Sequence, residues 1–322
     1  MKKLICFALA VILLLSLAAC QLLPPKDDVP PEENPQEQQG EQPEENPQDQ
    51  PEVEDGFRFT KENMPVIDGS TATIPLIEAL YSVALGVSRE EAAEMFETSG
   101  TDNAYINLVY ERGPKLLLVY APSQDSLAEA EYNNVELEMA PIGRDGLVFL
   151  VNAANHVDNL SAEQVVDIYS GNITNWKDLG GVAGEIKAFQ RPQRSGSQTM
   201  MDALVMKGIA MMPAEPQYVI SEMGGLVDAV ATFDNADSAI GYNVFYYVTR
   251  MKLDENVKLL SIDGVAPSVE SISSGAYPFV NDFYAVIRAD SPEGSPERLL
   301  FDWIQSADGQ AMVKSEGYPS AG

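Results

Sequence analysis

The chain has two cysteines in 322 residues, Cys6 and Cys20, and one histidine, His156. Everything after residue 20 is free of thiols, so the body can form no internal disulfide and offers no cysteine to a metal or to catalysis. A Ser-His-Asp arrangement would have to use His156, which follows Asn155 in a polar stretch and reads as a surface residue. No Gly-x-Ser-x-Gly elbow, no complete phosphate-binding P-loop with its lysine and no spaced metal-ligand set occurs, so neither cofactor nor metal is expected. Basic residues are scarce as well: 20 Lys and Arg stand against 49 Asp and Glu, for a formal charge of −29. Such a balance argues against nucleic acid, whose phosphate backbone needs a basic face. It argues equally against charge-driven adhesion to anionic lipid. No repeat of the solenoid or propeller kind is present.

The single long apolar run is Ile5 to Leu17, preceded by Lys2 and Lys3 and followed by Ala18-Ala19-Cys20. A basic start, an apolar core and small residues describe a secretory signal, and the run is short for a bilayer span of about 20 residues. An ordinary signal peptide or an anchor helix would not require a cysteine here. Leu17-Ala18-Ala19-Cys20 resembles the bacterial lipobox, which implies a signal over 1–19, cleavage before Cys20 and lipid on that residue. The mature chain would then sit on the extracytoplasmic face of the cell membrane. Residues 21–56 hold twelve acids and one lysine and are rich in Pro, Gln and Asn. Such a segment cannot bury enough surface to fold, so 20–56 reads as a lipidated tether of roughly 30–35 Å.

The body, 57–322, is long enough for two lobes. Met64 to Ile67, Lys115 to Tyr120, Gly146 to Asn152, Ile186 to Phe189 and Phe279 to Ile287 read as strands, and Ala239 to Tyr242 as a turn or short strand. Helical spacing follows Pro75, Thr101 and Ser197 and recurs over 296–305 and 309–314. Ser161 and Gln164 form a capping-box pattern ahead of Val165 and Ile168, with Gly171 as the stop. Alternating strands and helices predict an α/β fold with mixed, mostly parallel sheets.

Three strand–turn–helix units carry Ser, Thr and Gly in the turn: 68–73, 98–101 and 191–197. A helix start leaves amides unpaired and carries partial positive charge. Glycine lets a ligand approach the backbone, and hydroxyls add donors. Such ends suit an anion, and in open α/β sheets they gather at the carboxyl edge of the strands. Arg191 could add a two-pronged charged contact. Each turn alone is equally what a structural helix cap looks like.

Taken together, these segments resemble the phosphate-binding substrate proteins of bacterial ABC importers, which have the type II periplasmic binding fold. The likeness rests on Asp68-Gly69-Ser70-Thr71-Ala72-Thr73-Ile74-Pro75, on Asp158 to Ser161 through Ile168 to Trp176, on Arg191-x-x-x-Ser195-Gly196-Ser197, and on Ala239-Ile240-Gly241-Tyr242. It covers nearly all of 62–318. It implies two lobes joined by two crossing strands, one from 57–145 and 277–322, the other from 146–276. It also implies that Ser70, Thr71, Thr73 and Thr101 donate to the anion from one lobe, and Arg191, Ser195, Gly196 and Ser197 from the other.

In one place the chain departs from the family. Its phosphate binders usually carry an aspartate after the second strand, which accepts the ligand's proton and so rejects sulfate. Here the sequence is Val119-Tyr120-Ala121-Pro122-Ser123, with no carboxylate before Asp125, so Tyr120 or Ser123 would fill that space. The resemblance implies a monomeric, extracytoplasmic lipoprotein that captures inorganic phosphate for the permease of an ABC importer. Binding or sensing of another oxyanion or small anionic metabolite, such as sulfate, is the alternative, and hydrolysis of a phosphoester a third reading.

Overall fold

The computed structural model describes residues 59–233 and 238–319. The signal at 1–19, the lipid site at Cys20 and the tether at 20–56 lie outside the described residues. No helix among the described residues is long and apolar enough to cross a membrane.

The chain runs β1 (Ile67–Gly69), α1 (Ile74–Leu85), α2 (Arg89–Ala93), α3 (Thr101–Val109), β2 (Leu116–Tyr120), α4 (Gln124–Tyr132) and β3 (Leu137–Asn152). It continues through β4 (Asn159–Leu160), α5 (Ala162–Ser170), β5 (Lys187–Ala188), α6 (Gly196–Met200), α7 (Met223–Thr232) and β6 (Ala239–Val244). It ends with β7 (Val257–Leu259), β8 (Ser261–Ile262), α8 (Val269–Ser273), β9 (Val280–Arg288), α9 (Pro296–Gln305) and α10 (Ala307–Ser315).

The main sheet has the order β1-β2-β9-β3-β6-β5, with β7 also paired to β3. Its two halves share β3. Residues 137–146 of that strand pair with β9, and residues 147–152 pair with β6 and β7. The sheet is mixed. Pairs β1–β2, β5–β6 and β4–β8 are parallel, whereas every pair made by β3 or β9 is antiparallel. The expectation of mostly parallel strands therefore holds for the strand–turn–helix units and not for the long strands that run between them.

Local sequence accounts for the elements. Every residue of β2, Leu-Leu-Leu-Val-Tyr, is buried, as a strand covered on both faces requires. Leu117 and Val119 pack under Ala104, Tyr105 and Leu108 of α3, while Leu116, Leu118 and Tyr120 enter the main core. The capping box at Ser161 and Gln164 forms, and α5 ends on Gly171 at φ +85°. The helix that starts as α6 at Gly196 widens to π-helical turns over Met201–Met206. The C-terminal segment returns to the first turn: the Tyr318 hydroxyl donates to the Ala72 carbonyl (2.7 Å). The Tyr318 ring also stacks on Tyr246, with centroids 3.7 Å apart.

Candidate functional site

The turns after β1, before α3 and after β5 face one cavity of about 420 Å³. Ser70, Thr71, Thr101, Arg191, Ser195, Gly196 and Ser197 all line it, so seven of the eight residues expected to hold an anion come together. Thr73 does not join them. It is fully buried, and its hydroxyl is shared between the carbonyls of Ser70 (2.8 Å) and Leu118 (2.6 Å), fastening the first turn to β2.

The first two turns are held by one carboxylate. Asp68 accepts from the Gly69 amide (2.7 Å), the Ser99 amide (2.8 Å) and the Ser99 hydroxyl (2.5 Å). Ser70 Oγ and Thr101 Oγ1 then lie 2.8 Å apart at the cavity wall. No side chain caps the turn at 71–73, α1 or α3. Ser195, by contrast, accepts from the Gln198 amide and caps α6. Serine thus caps a helix in the third turn only, and no side chain occupies the amides at the first two helix starts.

The halves meet closely here. A Cβ on Gly196 would lie 2.5 Å from Thr101 Oγ1, so only glycine lets the 191–197 turn approach the second turn this far.

Arg191 supplies the charge. It is 7% exposed, and Nη2 donates to the Ser221 carbonyl (2.8 Å). Nε and Nη1 are buried with no hydrogen-bond partner among the described residues. Burial pulls the guanidinium below its ordinary pKa, and Tyr242, Glu222 and Tyr247 partly offset this. Its backbone amide is anchored by the Tyr242 hydroxyl (2.9 Å), which in turn bonds Gln198. A buried cation with two idle donors is a costly arrangement unless an anion completes it.

The two residues expected to meet a ligand proton are engaged elsewhere. Tyr120 lines the cavity, but its hydroxyl donates to Asp145 (2.7 Å). Ser123 lines a neighbouring cavity. Its hydroxyl donates to Asp102 (2.9 Å), and its oxygen caps α4. His156 is exposed, and Trp176 is buried with its indole N–H on the Ser238 carbonyl (3.1 Å).

A fourth segment, Ser221 to Met223 at the start of α7, completes the lining, and sequence reading missed it. Glu222 occupies the N-cap position without capping the helix, and it is the one carboxylate among the described residues that line this cavity. A signal was present: Ser221-Glu222-Met223-Gly224-Gly225 precedes Leu226, Val227 and Val230 at helical spacing. Asp145 also went unremarked. It is fully buried, accepts from Tyr120, Gly146 and Tyr246, and is pushed up to about 7 by burial, against the lowering effect of those donors.

Comparisons with known proteins place the chain. It is 31% identical over 174 residues to the phosphate-binding protein PstS of Bacillus subtilis, a match that spans 54% of each chain, so about half of that relative's length. It is 22% identical over 265 residues to the phosphate-binding protein PstS of Borreliella burgdorferi, covering 80% of this chain and 90% of the relative. Its fold matches the crystal structure of a phosphate ABC transporter substrate-binding protein from Clostridium perfringens at a TM-score of 0.62 and 23% identity, over 81% of this chain and all of the other. Residues 83–305, well over half the chain, match the family model of the PBP superfamily domain, and the chain belongs to that superfamily.

Proposed function

We propose that this protein captures inorganic phosphate between the two halves of its sheet and hands it to the permease of an ABC importer. We take these halves to be the two lobes expected at 57–145 with 277–322 and at 146–276. One observation carries the reading: Arg191 is buried against the cavity with Nε and Nη1 unpaired, facing hydroxyls from three separate turns. A tetrahedral oxyanion supplies several acceptors at once, and the amides at the first two helix starts add donors. The curated relatives carry the name phosphate-binding protein, and the Clostridium perfringens structure is described with bound phosphate. Ser70, Thr71, Thr101, Ser195, Gly196 and Ser197 are the partners we assign to the anion alongside Arg191.

The acidic body does not oppose this. Distant charges are screened over about 8 Å at physiological salt, so the local guanidinium and amide dipoles decide. Lipid on Cys20 would keep the protein at the extracytoplasmic membrane surface, near its permease. We read it as a binding protein rather than a hydrolase, because Ser195 spends its oxygen on a cap and the one histidine lies on the exposed surface.

Isothermal calorimetry with phosphate tests the reading, with Arg191→Ala as control. Saturable heat in the parent and none in the variant is expected. Absence of heat in the parent at micromolar to millimolar phosphate would sink it.

A second oxyanion remains as an alternative cargo because Tyr120 stands where the resemblance calls for an aspartate. Glu222 is the carboxylate available to accept a ligand hydrogen, which phosphate has and sulfate lacks. Competition between the two anions, in the parent and in Glu222→Gln, separates these readings. Phosphate preference that survives in the parent and narrows in the variant supports phosphate as the cargo.

A further inference from the structure

We propose that Asp145 is a positioning residue for the anion site: its carboxylate ties Tyr120 in one half of the sheet to the backbone of Tyr246 in the other, and so sets how closely the halves meet around the anion. The proposal rests on the phosphate-binding reading only where affinity is the readout.

Asp145 lies where β3 passes between the halves. Its own register partner is Asn281 of β9, while two residues on, Leu147 pairs with Val244 of β6. The carboxylate is completely buried. Oδ2 accepts the Tyr120 hydroxyl (2.7 Å), and Oδ1 accepts the amides of Gly146 (2.8 Å) and Tyr246 (3.1 Å). Tyr120 ends β2 and Tyr246 follows β6, so one side chain collects donors from three segments on both sides of the crossing.

The tie leads into the cavity. The Tyr120 amide donates to Ser70 Oγ (3.3 Å), and Ser70 Oγ lies 2.8 Å from Thr101 Oγ1. On the other side, Val244 lines the cavity two residues before Tyr246. A continuous line of contacts therefore runs from the wall formed by Thr101 and Ser70, through Tyr120 and Asp145, to the strand carrying Val244.

Stability alone does not call for a carboxylate here. Burying an ion without a counter-ion is unfavourable, and apolar or neutral residues serve a core better. Asp145 is in no ion pair among the described residues. Its neighbour Arg144 is committed to Asp282 of β9 (2.9 Å). The titratable groups around it are the phenols of Tyr120, Tyr246 and Tyr318, all raised by burial, with Glu316 beyond the last two and Arg89 and Arg250 felt at Tyr246. What distinguishes a carboxylate at this point is its capacity to gather three donors from separate segments.

The test reads the separation of the halves directly. The full-length chain with Cys6→Ser and Cys20→Ser has no thiol left, so Tyr132→Cys and Leu253→Cys, at positions 82% and 77% exposed, give a clean pair for distance labels. Asp145→Asn and Tyr120→Phe are then measured alone and together, without ligand and with inorganic phosphate. Each single variant is expected to broaden the unliganded distance distribution and weaken phosphate about tenfold. The double variant is expected to do no more than either, because both break one tie. Multiplying losses, or an unchanged distance distribution in Asp145→Asn, would overturn the proposal. Should Asp145→Asn fail to fold, Tyr120→Phe leaves every backbone donor to Asp145 in place and carries the same distance reading. Since the unliganded distances involve no phosphate, a parent that binds none would sink the cargo and leave this inference standing or falling by itself.

Discussion

Two buried charges sit close to the same cavity and are treated in opposite ways. Arg191 has one donor placed on the Ser221 carbonyl and two left idle. Asp145, a few strands away, is met by a hydroxyl and two amides. A buried polar group without a partner costs roughly 1–3 kcal/mol, more when charged, so two idle donors on one guanidinium at a cavity wall point to a partner from outside the chain. On the proposed reading, the satisfied carboxylate serves the architecture and the unsatisfied guanidinium serves the ligand.

The contrast can be broken most directly at Arg191. Arg191→Ala should weaken phosphate at least about 100-fold, equivalent to about 2.7 kcal/mol, while the unliganded melting temperature stays level or rises. A large drop in unliganded stability would show that the guanidinium is structural after all. Asp145→Ala should act mainly on stability, with only the smaller loss of affinity expected for the broken tie. At pH 5 it should cost about 3 kcal/mol of unfolding free energy in urea, since three donors lose their acceptor.

The pH dependence sharpens the same comparison. The folded-state pKa of Asp145 is raised from 3.8 to about 7, so the folded chain holds a proton that the unfolded chain releases. Its contribution to stability is present below pH 4 and is lost as pH rises towards 7. The parent should therefore decline relative to Asp145→Asn across that window, by roughly 4 kcal/mol at most. Parallel stability curves from pH 4 to 8 would refute this. The smallest effect is steric. Gly196→Ala should lower phosphate affinity about tenfold by placing a methyl group against Thr101, and adding Thr101→Ser, which keeps the hydroxyl, should not restore it.

Much of the site was legible because its signals are local. Ser70, Thr101 and Ser195 to Ser197 announce themselves as small polar residues between a strand and a helix, whatever the rest of the chain does. How those hydroxyls are used is not local. Thr73 looked like a donor to ligand, yet its hydroxyl serves two carbonyls, one of them 45 residues away on β2. The first part of β3 was hidden for a related reason. Pro141 and Gly143 read as breakers, and the structure uses them for a register shift where Gly143 makes room for the Phe283 ring. The start of α7 was masked by Gly224 and Gly225, which argue against a helix by propensity. Asp145 had no signature in sequence, since its partners come from positions 120 and 246.

The bond from Tyr318 to Ala72 has a consequence in time. The first anion turn begins at residue 70, yet one of its carbonyls is fastened by a side chain 246 positions later. β2, behind that turn, likewise waits for β9 to supply its antiparallel neighbour. A chain emerging from its amino end exposes the hydroxyls of the first turn early but cannot lock them in place until its last residues arrive. On the proposed reading, binding competence is therefore a late event, and a chain cut short near residue 315 would carry every anion-contacting residue assigned above without the fastening that holds the first turn.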